Sequence, residues 1–268
     1  MKHKVLRQKV TIFLSLILLG ATALVVFAQG GLLDPQEEVA RQKEQILANS
    51  GILPGELFAF EGESLFYSLR GSNNLSMEAC DFGLGAGVVD GAFAQLPRYF
   101  ADTARVEDVD SRIVSCMRDV QGITAEAISR SEVVAIASYI AMQSSGSPMN
   151  IDLSVPEVNT MYEAGEVLWY LRMGELDMSC AVCHEDKVNK RIRLQGLVDV
   201  KATAVATHWP AYRFSNDVMW TMEDRIRACW NNVSVTPPSH YSDPLIALEV
   251  YMAALANGNV VDAPGFVR

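Results

Sequence analysis

The chain has 268 residues, of which 50% are hydrophobic and 20% charged, and its formal net charge at pH 7 is −10. This length is sufficient for two small hydrophobic cores. The acidic balance disfavours nucleic acid and anionic membrane surfaces as partners and would steer a basic protein partner toward the chain.

The first 28 residues have the pattern of an export signal. Four basic residues within positions 2–9 precede an apolar run from about Val10 to Ala28, and small side chains stand at the expected cleavage point. Cleavage after Ala28 would shift the formal charge from −10 to −14, because the segment carries four Lys or Arg and no acidic residue. An uncleaved anchor is the alternative. We predict a periplasmic protein, without membrane attachment after cleavage.

The rest of the chain is a degenerate internal repeat. Blocks that match in residue type recur in one order, which indicates two copies of one domain joined near the Ser, Gly and Pro residues of 144–150. We therefore predict a signal at 1–28 and domains at 29–150 and 151–268. The matched blocks are GESLFY (62–67) with GEVLWY (165–170), SRIVSCMRDV (111–120) with DRIRACWNNV (224–233), and EVVAIASYIAMQSSG (132–146) with PLIALEVYMAALANG (244–258).

Apolar spacing predicts helices throughout both copies. One helix should begin at Pro35 after an Asp34 cap and end before Gly51. Two others should run from Pro156 towards Gly174 and from 244 to near Gly258. No segment shows a convincing strand alternation, so the predicted fold class is all-α.

The segment SCAVCHE (179–185) contains the attachment motif of a c-type haem. The thiols of Cys180 and Cys183 can bond to the two vinyl groups of one porphyrin, and His184 can ligate the iron. A zinc site or a disulfide is the alternative, but zinc would require two further close ligands. We predict one covalently attached haem c in the second domain, and two cytochrome c-like domains overall.

The first domain is predicted to lack haem. In the repeat alignment Gly83 and Leu84 stand where the second thiol and the histidine would be. Cys80 and Cys116 correspond to Cys180 and Cys229. If Cys229 lies on the open face of the iron, Cys80 and Cys116 face one another and should form a disulfide; two free buried thiols are the alternative.

Cys229 is the remaining thiol. Ferric iron stabilises a thiolate, and Arg225 and Arg227 add positive charge upstream, which favours Cys229 as the distal iron ligand. The other interpretation is a buried structural cysteine beside a different sixth ligand. The alternative sixth ligands are Met219, Met222, His208 and His240.

The combined motifs resemble the SoxA subunits of SoxAX cytochrome complexes, the L-cysteine S-thiosulfotransferases of sulfur-oxidising bacteria. The resemblance covers essentially the whole mature chain, and the loss of the first haem site matches the single-haem type. The motifs that carry it are Cys80, CAVCHE (180–185), HWPAYR (208–213), RIRAC (225–229) and DPLIALEVYMAALANG (243–258).

The resemblance implies an activity and partners. Cys229 would be the distal ligand and a persulfide, Arg225 would bind substrate, and Arg227 is the second candidate for that role. Arg213 would line the substrate entrance or pair with an acidic residue. Thiosulfate would be joined oxidatively to a cysteine of a SoxYZ-type carrier, and electrons would pass to a SoxX-type c-type cytochrome in a heterodimer. The alternatives are a single-haem electron-transfer cytochrome and a thiosulfate dehydrogenase that forms tetrathionate.

Overall fold

The computed structural model describes residues 35–192 and 195–268, so the predicted signal and the Asp34 cap lie outside the described residues. The predicted helices are present, and the glycines that follow them, Gly51, Gly174 and Gly258, adopt the left-handed conformation that ends helices or forms turns. The α-helices are α1 (Pro35–Ser50), α2 (Pro54–Tyr67), α3 (Val109–Ser115), α4 (Arg130–Gln143), α5 (Pro156–Tyr170), α6 (Met222–Asn232) and α7 (Asp243–Leu255).

Short strands join the helices, so the all-α prediction is only partly confirmed. Each strand has two or three residues, which is too short to leave an alternating pattern in the sequence. Strands β1 and β2 pair antiparallel, as do β3 and β4, and the third sheet has the order β6-β5-β7 with β5 and β7 parallel. The strands are β1 (Arg98–Phe100), β2 (Arg105–Glu107), β3 (Arg191–Ile192), β4 (Gln195–Gly196), β5 (Ala211–Arg213), β6 (Val218–Trp220) and β7 (Gly265–Val267).

The same helix crossing occurs in both halves of the chain. Helix α2 packs on α4, and α5 packs on α7. The crossings are close because a glycine lies at each contact: a Cβ at Gly62 would overlap the Ala135 carbonyl, and a Cβ at Gly165 would overlap the Ala247 carbonyl. These four residues occupy matching positions of the repeat. The repeat seen in the sequence is therefore a repeat of helix packing.

Two capped helices, α3 and α6, position the matching arginine and cysteine: Arg112 lies on α3 and Cys116 directly follows it, and α6 carries both residues of the second pair. The Asp108 carboxylate accepts a hydrogen bond from the Ser111 N–H at 2.7 Å, which caps α3. At α6 the acidic residue lies inside the helix instead of before it: the Asp224 carboxylate accepts from the N–H of Thr221, three residues earlier, at 3.0 Å. Both helices thus begin at a defined residue, which sets the position of the side chains one to two turns later.

Acidic side chains meet between the two halves around one arginine. Arg130 of α4 donates to Asp110 of α3 and to Asp224 of α6, both at 2.8 Å. Burial and the charge of Asp108 raise the pKa of Glu223 to about 10, and burial also raises the pKa of Glu249. The contact therefore holds more carboxyl groups than cations.

Within the two described ranges, no helix is long and apolar enough to cross a membrane.

Candidate active site

The attachment motif lies on one helical turn that continues as a π-helix over Val182–Asp186. The motif begins at Cys180, and Cys183 and His184 follow it by three and four residues. At this helical spacing all three side chains share one face. The His184 Nδ1 atom lies 2.8 Å from the main-chain oxygen of Val198. Since a carbonyl oxygen can only accept, Nδ1 carries the proton and donates it. In the neutral ring this leaves Nε2 without a proton and free to ligate a metal.

Cys229 of α6 reaches this motif. Its sulfur lies close enough to the His184 ring for that ring to lower the Cys229 pKa, and close enough to Cys180 and Cys183 for its charge to raise the pKa of both thiols. Burial, the larger cause, raises the Cys180 pKa to about 12. The structure thus brings all three free cysteines and the motif histidine together.

The Cys229 thiol differs from the other two in its electrostatics. Burial raises its pKa, but the charge of Arg225 and the contact with His184 outweigh that effect and bring the pKa to about 7. Arg213 lowers it further. Arg225 precedes Cys229 by four residues on α6, so both side chains lie on one face of the helix.

Arg213 belongs to this cluster through β5, and within the described residues it does not pair with an acidic side chain. Its guanidinium is buried, lies 4.6 Å from the Trp220 ring centroid, and donates to the main-chain oxygen of Arg268 at 2.8 Å. Burial and the positive charge of Arg225 lower its pKa to about 10. Two cations therefore converge on one sulfur, and this favours an anion as ligand.

Arg227 has a different environment. It is half-buried, and in the part of the chain that the structure describes its Nη1 atom has no hydrogen-bond partner, as is also true of the Trp230 Nε1 atom on the same helix. Buried donors without acceptors are costly, so both atoms are suited to an acidic group that enters the site.

Two of the alternative iron ligands lie elsewhere. His240 contacts Asp224 at 2.9 Å in the acidic contact between the halves. Met222 lines a small cavity beside Asp108 and Asp110 in that same contact. His208 is partly exposed, 4.0 Å from Asp262, and Met219 is buried on β6.

The corresponding site in the first half is filled by the chain itself. Cys80 and Cys116 are joined by a disulfide with their Cα atoms 5.9 Å apart, as predicted. Phe66, Phe82 and Met77 are fully buried around it. These side chains take up the interior that a cofactor would otherwise occupy.

The arginine that matches Arg225 is also committed to structure. Arg112 is buried and pairs with Asp102 at 2.9 Å and with Glu107 at 3.3 Å, and it lies 3.9 Å from the Phe100 ring centroid. It has no free face for a ligand. The first half therefore keeps the repeat fold without the chemistry of the second.

The residues of the second half fit a c-type haem. The donor set consists of two thiols on one helical turn, an imidazole whose Nδ1 is already hydrogen-bonded, and a third thiol facing that imidazole. The unpartnered donors of Arg227 and Trp230 can serve the propionates. A disulfide would not use the histidine, and within the described residues no group of three or more His, Cys, Asp or Glu side chains is arranged to hold a metal ion such as zinc.

Comparison with known proteins identifies the family. The family model described as SoxA/TsdA, cytochrome c domain, matches residues 61–149 and 164–261. The chain belongs to the SoxA/TsdA cytochrome c family. Among relatives in this family, the "L-cysteine S-thiosulfotransferase subunit SoxA" of Hydrogenobacter thermophilus is 46% identical over 94% of this chain and 97% of that protein. The protein of the same name from Hydrogenophilus thermoluteolus is 43% identical over 80% of this chain and 83% of that protein.

A solved structure agrees with this assignment to the SoxA/TsdA family. The crystal structure of SoxXA from P. pantotrophus superimposes with a TM-score of 0.71 at 26% identity, covering 80% of this chain and 79% of that chain. The family model matches a segment in each half, so both halves are part of the shared architecture.

Some contacts of the site have only a weak signal in the sequence. The Trp169 ring lies 5.7 Å from His184, and Glu185 accepts from the Trp169 N–H at 2.7 Å. The repeat alignment could have pointed to both residues, because Phe66 and Gly85 stand at the matching positions of the first half. Val198 has no such signal, because it contributes only a main-chain oxygen.

Proposed function

We propose that this chain is the haem-bearing subunit of a SoxA-type L-cysteine S-thiosulfotransferase. The supporting observation is the contact of Cys229 with His184 beside Arg225, in a chain whose curated relatives carry that name. An exported, periplasmic location follows from the signal pattern and from attachment of haem to thiols.

Cys180 and Cys183 would hold one haem c covalently, and His184 and Cys229 would ligate its iron. When bound, the haem supplies a centre that accepts electrons and passes them on. The Val198 oxygen fixes the His184 ring, and α6 fixes Cys229 opposite it. The sulfur of Cys229 is the site where we expect a persulfide.

Arg225 would bind the sulfonate end of thiosulfate by charge-assisted hydrogen bonds. Arg213 supports it with a second positive charge, held in place by the Arg268 oxygen. Arg227 is the second candidate for substrate binding, and its unpartnered Nη1 suits a propionate equally well. The positive charge at the site would thus attract a small dianion even though the chain as a whole is negatively charged.

The overall reaction joins the thiol of a SoxYZ-type carrier to the outer sulfur of thiosulfate. One S–S bond forms, the thiol loses its proton, and two electrons leave. A SoxX-type c-type cytochrome, bound as a heterodimer, would take those electrons, since a single haem holds only one.

The test is the intact mass of the mature, non-reduced protein followed by peptide mapping around Cys229. We expect one covalent haem, the crosslink between Cys80 and Cys116, and one extra sulfur on Cys229. A C229S variant should keep its haem but lose thiosulfate transfer to the carrier thiol. One haem with an unmodified Cys229 and an active C229S variant would instead indicate a plain electron-transfer cytochrome, and tetrathionate as product would indicate a thiosulfate dehydrogenase.

A further inference from the structure

Glu185, the residue directly after the motif histidine, connects the motif to helix α5. Its Oε1 atom accepts from the Trp169 Nε1–H at 2.7 Å and from the Tyr170 hydroxyl at 3.1 Å. The hydroxyls of Tyr170 and Tyr251 lie close enough for each to shift the pKa of the other, and the Trp169 ring of α5 contacts the Tyr251 ring of α7. The segment that carries His184 is therefore tied to both helices of the α5/α7 crossing.

Trp169 holds the central place in these contacts. Its side chain is 3% exposed, with ring centroids 5.7 Å from His184 and 5.6 Å from Tyr251. Glu185 is the hydrogen-bond partner that the structure gives its N–H. Loss of that acceptor would leave a buried donor unpaired, and the indole would then be free to change its position against the His184 ring.

The first half of the chain supplies an internal comparison. The tyrosine pair is kept there, with Tyr67 and Tyr139 hydroxyls 3.1 Å apart. Phe66 stands in place of the tryptophan, and Gly85 in place of the glutamate. The half without the motif histidine has thus lost the N–H and the carboxylate, while it keeps the tyrosine contact that merely joins two helices.

We propose that Trp169, Tyr170 and Glu185 form a positioning network that holds the His184 ring in its iron-ligating orientation. None of the three residues needs to touch the substrate. The inference rests on the proposed attachment of haem to Cys180 and Cys183, and it adds a role for residues outside the motif.

The experiment compares the unsubstituted holoprotein with W169F, E185A and E185Q. W169F keeps the ring and removes the N–H, E185A removes the acceptor, and E185Q keeps an acceptor oxygen without the charge. Y67F is the matched control, because it removes the equivalent tyrosine hydroxyl in the haem-free half. Covalent haem is counted by mass, and ligand orientation is measured by the low-spin ferric EPR signal.

We expect W169F and E185A to give a broadened or split EPR signal, or loss of haem, while E185Q and Y67F keep the signal of the unsubstituted protein. An unchanged signal in E185A and W169F would overturn the inference. A change in Y67F equal to that in E185A would also overturn it, since helix packing alone would then explain the effect. An E185Q signal like that of E185A would assign the effect to charge, which contradicts positioning. Absence of haem from the unsubstituted protein would instead refute the proposed function, and the inference with it.

Discussion

The cysteines of this chain show how position alone gives one residue type different chemistry. Cys80 and Cys116 form a disulfide in an interior packed with aromatic side chains. Cys180 and Cys229 occupy the matching positions of the second half, and within the described residues they form no disulfide there. The pKa of Cys229 falls to about 7 although burial raises it, because Arg225 lies one turn away. The neighbouring cation, rather than the cysteine itself, decides which thiol is reactive.

Replacement of Arg225 tests substrate binding at the residue scale. A charge-assisted hydrogen bond contributes about 1.5–3 kcal/mol, so R225A should lower kcat/KM for thiosulfate by about 10- to 100-fold. R225K should recover part of the loss, since it restores the positive charge but lacks the planar guanidinium group that can donate two parallel hydrogen bonds. Steady-state transfer to the carrier thiol at fixed ionic strength measures this.

R118A is the control for that measurement. Arg118 is exposed and pairs with Asp119 in the first half of the chain, away from the site, so its loss should leave kcat/KM within about twofold. Equal losses in R225A and R118A would assign the effect to the overall charge of the protein instead of to the site.

At the scale of elements, the two helix crossings determine where the site residues stand. Helix α5 carries Trp169 against His184, and its close approach to α7 is possible because residue 165 is glycine. The predicted ends of α1, α5 and α7 agree with the structure within a few residues, because proline and glycine mark them in the sequence. The short strands were not predicted, because two or three residues cannot establish a period.

A methyl group at Gly165 should disturb this crossing. The added Cβ would overlap the Ala247 main-chain oxygen, which cannot move without displacing α7. We expect G165A to lower the free energy of unfolding by about 1–3 kcal/mol, although alanine favours a helix more than glycine does. Thermal denaturation of the holoprotein measures the change.

The neighbouring residue provides the control. Ala164 is exposed on the same helix, so A164G changes backbone entropy without changing the crossing and should cost about 1 kcal/mol or less. A stability of G165A equal to or above that of the unsubstituted protein would mean that the two helices separate without cost.

At the scale of the whole molecule, the contact between the halves is an acidic cluster with too few cations. Arg130 joins Asp110 and Asp224 across the contact. Among the described residues, one buried carboxyl oxygen each of Asp108, Asp110 and Glu223 has no hydrogen-bond partner, and a charge there is costly because the surroundings are of low polarity. At neutral pH the cluster is therefore held together partly by carboxyl groups that keep their protons.

The pH dependence of stability tests this view through Glu223. Burial and the charges of Asp108 and Asp110 raise its pKa to about 10, so the folded chain keeps a proton that the unfolded chain releases above about pH 4.3. The contribution to stability is full below the unfolded pKa and is lost as pH rises towards 10. E223Q carries no charge at this position, so its stability should fall less as pH rises. At pH 9 its free energy of unfolding should exceed that of the unsubstituted protein by about 1–3 kcal/mol.

Denaturant unfolding between pH 5 and 9 gives the required slopes. E166Q is the control, because Glu166 is exposed on α5 and its replacement should leave the slope unchanged. Parallel slopes for E223Q and the unsubstituted protein would contradict a protonated Glu223.

The sequence by itself determined the repeat, the main helices, the motif at Cys180 to His184 and the loss of its counterpart at Gly83 and Leu84. Each of these is a local pattern of spacing or residue type, which chain order preserves. The division into domains at residue 150 and the single haem remain predictions. Only the tertiary structure decided which distant groups meet: Cys229 with His184, Arg213 with Arg225, and Arg130 with the acidic cluster. These contacts join residues far apart in the chain, and their geometry depends on helix packing that no local pattern encodes.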